Sequence, residues 1–207
     1  MLEIEDHPLL DARVIWAHSD TPISRLNSPQ VLMDGLSIQG PSPLSSSDDI
    51  RKQVREMLRC HGYKPSGRGK PASEYLRKVA TAGLLPSINL AVDICNVVSL
   101  HSGLPISVID VDKATRPFRI QVAKMDLRYV FNRSGQEMAL MGLPCLFDSQ
   151  GPCANAVKDS QRTKTDETTQ NTLTVIWGLQ GHPEQTIRAR DWYLQLLGLS
   201  GFVVIPN

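Results

Sequence analysis

The chain has 207 residues, enough for one domain with a substantial core, and its 41% hydrophobic and 21% charged content is that of an ordinary globular protein. Its 22 basic and 21 acidic side chains leave a formal charge of +1, so no global field announces a nucleic acid; an RNA contact has to come from a local basic patch. No run reaches the ~18–20 apolar residues of a membrane span, and the acidic start MLEIEDHPLL lacks the basic head and apolar core of a secretion signal, which implies a cytoplasmic protein without a membrane partner.

In chain order, Ala12–His18 reads as a first strand and Gln30–Gln39 as a second extended stretch. Gln39–Ser47, rich in Gly, Pro and Ser, has the composition of a linker. Ser46 or Ser47, followed by Asp48 and Asp49, predicts a helix start, because acids favour the positive end of a helix. Ile50, Val54, Met57 and Leu58 give this helix an apolar face opposite Arg51, Lys52, Arg55 and Arg59, and Gly62 ends it. Pro71 suits the first turn of the next helix, Ala72–Ala82, with Tyr75, Leu76 and Val79 inward and Gly83 as its stop. Ser87 predicts the cap of a third helix, whose stripe is Ile88, Val92, Cys95, Val97 and Leu100; Gly103 stops it by accepting left-handed geometry. Pro105 then opens a strand rich in β-branched residues, Ile106 to Val111. Pro117–Ala123 alternates, with Phe118, Ile120 and Val122 one way and Arg119 and Gln121 the other. Tyr129–Phe131, Met138–Leu140 and Cys145–Phe147 read as short strands of a meander. Gly151–Glu167 is polar and loop-like. Thr172–Trp177 is a core strand, Pro183 opens a last helix ended by Gly198, and Phe202–Ile205 is a closing strand. Helices and strands intersperse without regular βαβ alternation, which predicts an α+β fold, a mixed or antiparallel sheet flanked by helices, in a single domain over 1–207.

The four cysteines lack CxxC spacing and the five histidines lack a ligand spacing, so no metal and no cofactor is implied. Neither Gly-x-Ser-x-Gly nor HExxH occurs. The segment KPSGRGK sets Lys64, Ser66, Arg68 and Lys70 among glycines beside a helix start, where main-chain N–H groups can face an anion. Its order is not that of a Walker A loop, and a solvated connector is the plain alternative. Lys158–Thr169 alternates cations with hydroxyls: Arg162, Lys164 and Thr165 suit a phosphate, a ribose or a terminal amino acid, against the alternative of a flexible polar loop. Asp93 and Asn96, three apart on a helix, either meet a common partner or tie down backbone N–H groups, the structural role being favoured. Asp110 and Asp112 have period-two spacing on one strand face, and with Lys113 and Arg116 nearby they read as a salt-linked strand end rather than an acid–base pair. Basic residues are not interleaved with aromatics, so base stacking is unsupported and no DNA partner is expected.

Three features occur together in VDICNVVSLHSGLPISVIDVDK: Asp93-x-x-Asn96 on a helix, the turn Leu100-x-x-Gly103-x-Pro105, and a strand ending Asp110-x-Asp112. This run resembles the B3 part of the B3/B4 module of the phenylalanyl-tRNA synthetase β subunit, and Asp166–Leu173, DETTQNTL, resembles the B4 part leading into a core strand. The resemblance implies a core over 85–178, an N-terminal extension 1–84 packed on it, and a closing helix and strand over 179–207. It also implies a cleft that takes the aminoacylated 3′ end of tRNA and hydrolyses tyrosine wrongly attached to the phenylalanine tRNA. Bacterial members place a His after the Gly-x-Pro turn and a Glu on the strand following the second motif. Ser107 and Val175 stand at those positions here, and since valine cannot position water, that mechanism does not carry over. The expectation is a stand-alone deacylase or tRNA-end binder. Lys64, Arg68, Lys70, Arg162 and Lys164 would hold phosphates, with Ser66 and Thr165 beside them, and the substrate's own ribose hydroxyl would act in a pocket of Ser107, Asn96 and Thr169. The alternative is a non-catalytic module for an amino-acid-like or other small anionic ligand. The length excludes a complete synthetase.

Overall fold

A computed structural model describes residues 2–83 and 85–206. Its elements are β1 (Leu2–Ile4), β2 (Leu10–His18), α1 (Gln30–Gly35), α2 (Asp48–Arg59), α3 (Ala72–Ala82), α4 (Leu90–Ser102), β3 (Ile106–Asp110), β4 (Phe118–Val122) and β5 (Arg128–Val130). They continue with β6 (Glu137–Ala139), β7 (Pro144–Asp148), β8 (Gly151–Asn155), β9 (Asn171–Leu179), α5 (Pro183–Leu199) and β10 (Val203–Ile205).

The strand β9 is buried at every residue but its first, as its run of β-branched and apolar side chains demands. It pairs antiparallel with β2 along its full length, from Leu10 opposite Leu179 to His18 opposite Asn171, and with β3 on its other side. The order of this sheet is β10-β2-β9-β3. The strand from the first eighteen residues is thus woven into the sheet between β10 and β9. A second sheet, β1-β4-β7-β8, is antiparallel except for the parallel pair β1–β4, and β5–β6 forms a separate hairpin. Side chains alternate across β9. One face meets the second sheet, where Trp16 of β2 lies edge-on to Phe118 of β4 at 5.4 Å. The other face meets helix α5, where Thr174 and Tyr193 hydroxyls hydrogen-bond at 2.9 Å. Gly178 permits this approach: a Cβ there would run into Thr186 of α5 and the Asp11 carbonyl. The layers are therefore helices, sheet, sheet, an α+β architecture.

Local chemistry explains the helices. The Ser47 hydroxyl accepts the Ile50 N–H at 3.1 Å, capping α2, and the predicted Ile50, Val54, Met57 and Leu58 face is buried. Arg55 ties α2 to α3 through both oxygens of Glu74 at 2.5 and 2.6 Å. Gly103 ends α4 at φ 77°, as expected.

Several expectations need correction. Gln30–Gln39 is not extended: Pro29 starts α1, Gln30 bonds Asp34 at 2.8 Å, and Leu32 and Leu36 bury one helical face. Gly151–Glu167 is not all loop, because Gly151–Asn155 pairs with β7 as β8 and buries the small residues Cys153 and Ala154, whose polar neighbours hid the strand. Tyr75 is 67% exposed; Ser73 and Ala80 are the buried positions of α3. The α4 cap is Asn89, whose Oδ1 accepts the Val92 N–H at 3.0 Å, while Ser87 donates to Asp93 at 2.6 Å. Asp93 also accepts the Ile88 N–H, so this fully buried carboxylate closes the helix entry, the structural role favoured for it. Ile88 lies outside α4 and is 64% exposed. Helix α5 runs through Gly198 to Leu199. Asp110 and Asp112 do not share a strand face, because the chain leaves β3 for a 3-10 turn at Val111 and Asp110 accepts the Asp112 N–H. Lys113 pairs with Asp110 and Asp166 at 3.4 and 2.6 Å, whereas Arg116 stacks over Trp16. Among the described residues no helix is long and apolar enough to cross a membrane.

Candidate functional site

Where the end of β8 meets β3, hydrogen bonds join a cluster of buried polar groups. Ser107 of β3 stands directly opposite Val175 of β9, so the two positions that depart from the bacterial pattern are cross-strand neighbours. The Ser107 hydroxyl accepts Trp177 Nε1–H at 2.9 Å and donates to the Asn155 carbonyl at 3.1 Å. Asn155 ends β8. Its Oδ1 accepts the N–H groups of Val157 and Lys158 at 2.7 and 3.1 Å, and its amide donates to the Tyr129 hydroxyl at 2.5 Å. Tyr129 in turn donates to the Lys158 carbonyl. These bonds curl 155–158 into a tight loop and bring Asp159 beside Ser107.

The Asp159 residue keeps partial exposure, but its Oδ1 is buried and, among the described residues, has no hydrogen-bond partner. A buried oxygen without a donor is rare in a folded chain and marks a place where a proton or a ligand belongs. Burial pushes the Asp159 carboxyl up to about 7, although Ser107, the charge of Lys164 and the backbone at Asn155 and Val108 pull the other way. A carboxyl raised this far is able to give or take a proton.

Two lysines of the same segment lie near it. Lys164, half-buried, donates to the Phe131 carbonyl at 2.6 Å, and Lys158 lies 3.9 Å over the Phe131 ring. Burial lowers the Lys158 ammonium below its ordinary range, and the charges of Arg68 and Lys164 lower it further. Burial also lowers Lys164; Asp159 opposes that and Arg133 adds to it. Both lysines reach Phe131, Lys164 through its carbonyl and Lys158 through its ring, and Arg68 of the glycine loop is exposed.

The structure brings Ser107 and Lys164 of the expected site together beside Asp159, leaves Arg68 exposed on its loop, and engages several others elsewhere. Arg162 makes a bidentate pair with Asp148 at 2.8 and 2.9 Å and touches the Cys153 sulfur. Burial opposes the Asp148 charge, yet Arg162 and the Thr115 and Gln150 N–H groups hold its carboxyl below the usual range. The buried Thr169 hydroxyl donates to Asp110 at 2.6 Å and accepts the Asp166 N–H at 2.9 Å, which makes it a strut between β3 and the segment before β9. The Thr165 hydroxyl accepts from the Asn89 amide at 3.2 Å. Asn96 is half-buried without a side-chain hydrogen bond among the described residues. Lys64, Ser66 and Lys70 are exposed, on a loop whose 3-10 turn is held by Tyr63 donating to the Gly69 carbonyl at 3.0 Å.

Sequence reasoning missed Asp159, Lys158, Asn155 and Tyr129. Asp159 lies inside a polar run where nothing local separates a buried acid from its solvated neighbours. The one available signal was its place between two cations and the strand-forming Cys-Ala-Asn, had that strand been recognised.

No protein of curated function matches the sequence. Among solved structures, an N-terminal fragment of the phenylalanyl-tRNA synthetase β subunit from Pyrococcus horikoshii has a similar fold. Its TM-score is 0.51 at 13% identity, over 99% of this chain and 50% of that one, so the chain spans half the length of that fragment. The family model for the B3/4 domain matches residues 56–194, a span that opens inside α2 and includes the Lys64–Lys70 loop, α3 to α5 apart from the end of α5, and β3 to β9. The chain belongs to the B3/4 domain family.

Proposed function

We propose that this chain binds the aminoacylated 3′ end of a tRNA beside Asp159 and hydrolyses the ester in trans. One observation carries the reading: among the described residues the buried Oδ1 of Asp159 has no hydrogen-bond partner, while Lys164 acts on the same carboxyl and Lys158 lies over the nearby Phe131 ring. An aminoacyl-tRNA end carries the matching chemistry, a reactive ester next to closely spaced phosphates. In the reaction, Asp159 takes a proton from water and the hydroxide oxygen attacks the ester carbonyl. The bond to the ribose oxygen then breaks, and that oxygen takes the proton back. The cations hold the phosphates. Ser107 does not act as a nucleophile, because its hydroxyl is committed to Trp177 and Asn155. The likeness in fold to a synthetase fragment supports a tRNA ligand.

The test is a panel of mischarged tRNAs incubated with the full chain. Asp159→Asn should abolish release of the amino acid while leaving tRNA affinity within a few-fold. Arg68→Ala should weaken affinity and flatten its salt dependence, since each phosphate contact adds ~0.7–0.9 to the salt slope. Affinity indifferent to salt, or full activity in Asp159→Asn, would refute the reading.

The second reading is a non-catalytic module for an amino-acid-like anion. The internal commitment of the Ser107 and Thr169 hydroxyls favours it, and a thermal shift with free amino acids in the absence of any deacylation would select it.

A further inference from the structure

We propose that α2, α3 and the glycine loop between them present one face that docks the phosphate backbone of an RNA duplex, the stem that runs behind the 3′ end. The choice of RNA rests on the reading above; the position of the face does not.

Charge is distributed unevenly along this chain. Between Arg51 and Lys78 there are nine cations and two acids, a net of +7, so the remaining residues carry −6. One of the two acids, Glu74, is spent on Arg55 through the bidentate bond that joins α2 to α3. Lys52 and Arg59 lie three residues before and four after Arg55, so they share its side of α2, and Lys78 lies four after Glu74 on α3. The cross-helix bond therefore sits among three further cations. Lys64, Arg68 and Lys70 follow on the loop that connects the two helices. All six are exposed, and none has an acid within ion-pair distance among the described residues. By contrast, Arg119, Lys124, Arg128 and Arg190 each hold an acid.

The face leads to the candidate site. The Ala72 N–H at the start of α3 donates to the Ala156 carbonyl at 2.9 Å, in the loop that carries Asp159 three residues on. A strand followed along the cations toward the start of α3 arrives at that loop.

Side-chain chemistry selects among polyanions. Both helices turn their apolar sides inward, Ile50, Val54, Met57 and Leu58 on α2 and Leu76 and Val79 on α3, so nothing is left to enter a lipid layer. Among the described residues Tyr75 is the one large apolar side chain exposed between Asp48 and Ala82, which denies an acidic protein the anchors such interfaces need. Lys52 and Arg59 stand ~10 Å apart along the helix, a spread that suits a row of phosphates. Tyr75, three residues before Lys78, offers a phenol O–H to the same row.

Fluorescence anisotropy tests the face with the full chain and an unacylated RNA hairpin of about twelve base pairs with an unpaired 3′ tail, titrated at several salt concentrations. Lys52→Ala combined with Arg59→Ala should weaken binding at least about tenfold near 0.1 M salt and lower the salt slope by about 1.5–2. Lys78→Ala should lower the slope by about one more. Arg119→Ala combined with Lys124→Ala removes the same charge from the second sheet and should leave affinity within about threefold. Equal losses in the two double variants would reduce the effect to net charge and overturn the face. Failure to bind the hairpin, or sedimentation with phosphatidylserine vesicles in its place, overturns it as well. The hairpin carries no amino acid, so its binding is read apart from hydrolysis. Mischarged tRNA left intact by a chain that shows the expected pattern removes the deacylase reading and upholds the face.

Discussion

Replacing Asp159 by Asn keeps the shape of the side chain and removes its charge, so the variant reads the electrostatic stress around the group directly. Burial lifts the carboxyl from the ordinary 3.8 to about 7. That interval of roughly 3 pH units corresponds to about 4 kcal/mol at ~1.4 kcal/mol per unit, the bound set by a group that stays dry. Because the folded value is raised, the contribution is fully present below the unfolded-state value and is lost as pH climbs through about 7. The stability of Asp159→Asn relative to wild type should therefore grow by up to about 4 kcal/mol between about pH 4 and about pH 8, then level off. Urea unfolding of both proteins at steps across that range measures the difference. A constant offset at every pH would mean that the carboxyl ionises as it does in water, and the proposed proton-transfer group would be lost with it.

Arg162→Ala removes the bidentate partner of Asp148, whose side chain is fully buried while the guanidinium is one-third exposed. The Thr115, Gln150 and Gly151 N–H groups remain, so the loss should be about 2 kcal/mol, below the ~3–5 of a fully buried pair. Since Asp148 is held below its ordinary range, this loss should shrink as pH falls through the carboxylate region, by denaturant unfolding at neutral and acidic pH. Ser107→Ala strands the Trp177 Nε1–H and should destabilise by about 1–3 kcal/mol. In a double-mutant cycle with Trp177→Phe the combined loss should fall about 1 kcal/mol short of the sum, and strict additivity would show the hydrogen bond to be idle. Ser47→Ala should cost about 1 kcal/mol through loss of the α2 cap, visible as a lower thermal midpoint.

The elements that sequence reading recovered are those whose signal is local and periodic. Strand β4 alternates Phe118, Ile120 and Val122 against Arg119 and Gln121, and burial follows suit. Helix α2 shows a cap, acids and a stripe in the right order. The misses arise where tertiary packing overrides composition. Helix α4 is buried on nearly every side, so the predicted stripe marks only part of what it buries, and its cap lies two residues after the Ser87 that the sequence offers. Strand β8 is made of Gly, Pro, Cys, Ala and Asn, poor strand formers that fit because the second sheet closes tightly around them. The candidate site was legible in its cations and its Gly-x-Pro turn. Its acid was not, because Asp159 acquires its character only from what β3 and the β8 loop place around it. Arg162 illustrates the converse: a cation in a promising loop whose charge is spent on an acid fourteen residues earlier.

The pairing of β2 with β9 has a consequence for how the chain comes into being. As the polypeptide leaves the ribosome, Leu10–His18 emerges well before its two flanking partners, Asn171–Leu179 and Val203–Ile205. The segment Val14-Ile15-Trp16-Ala17 waits with both of its edges open until they follow, the condition under which nascent strands clump. Such long-range wiring makes the sheet slow to form.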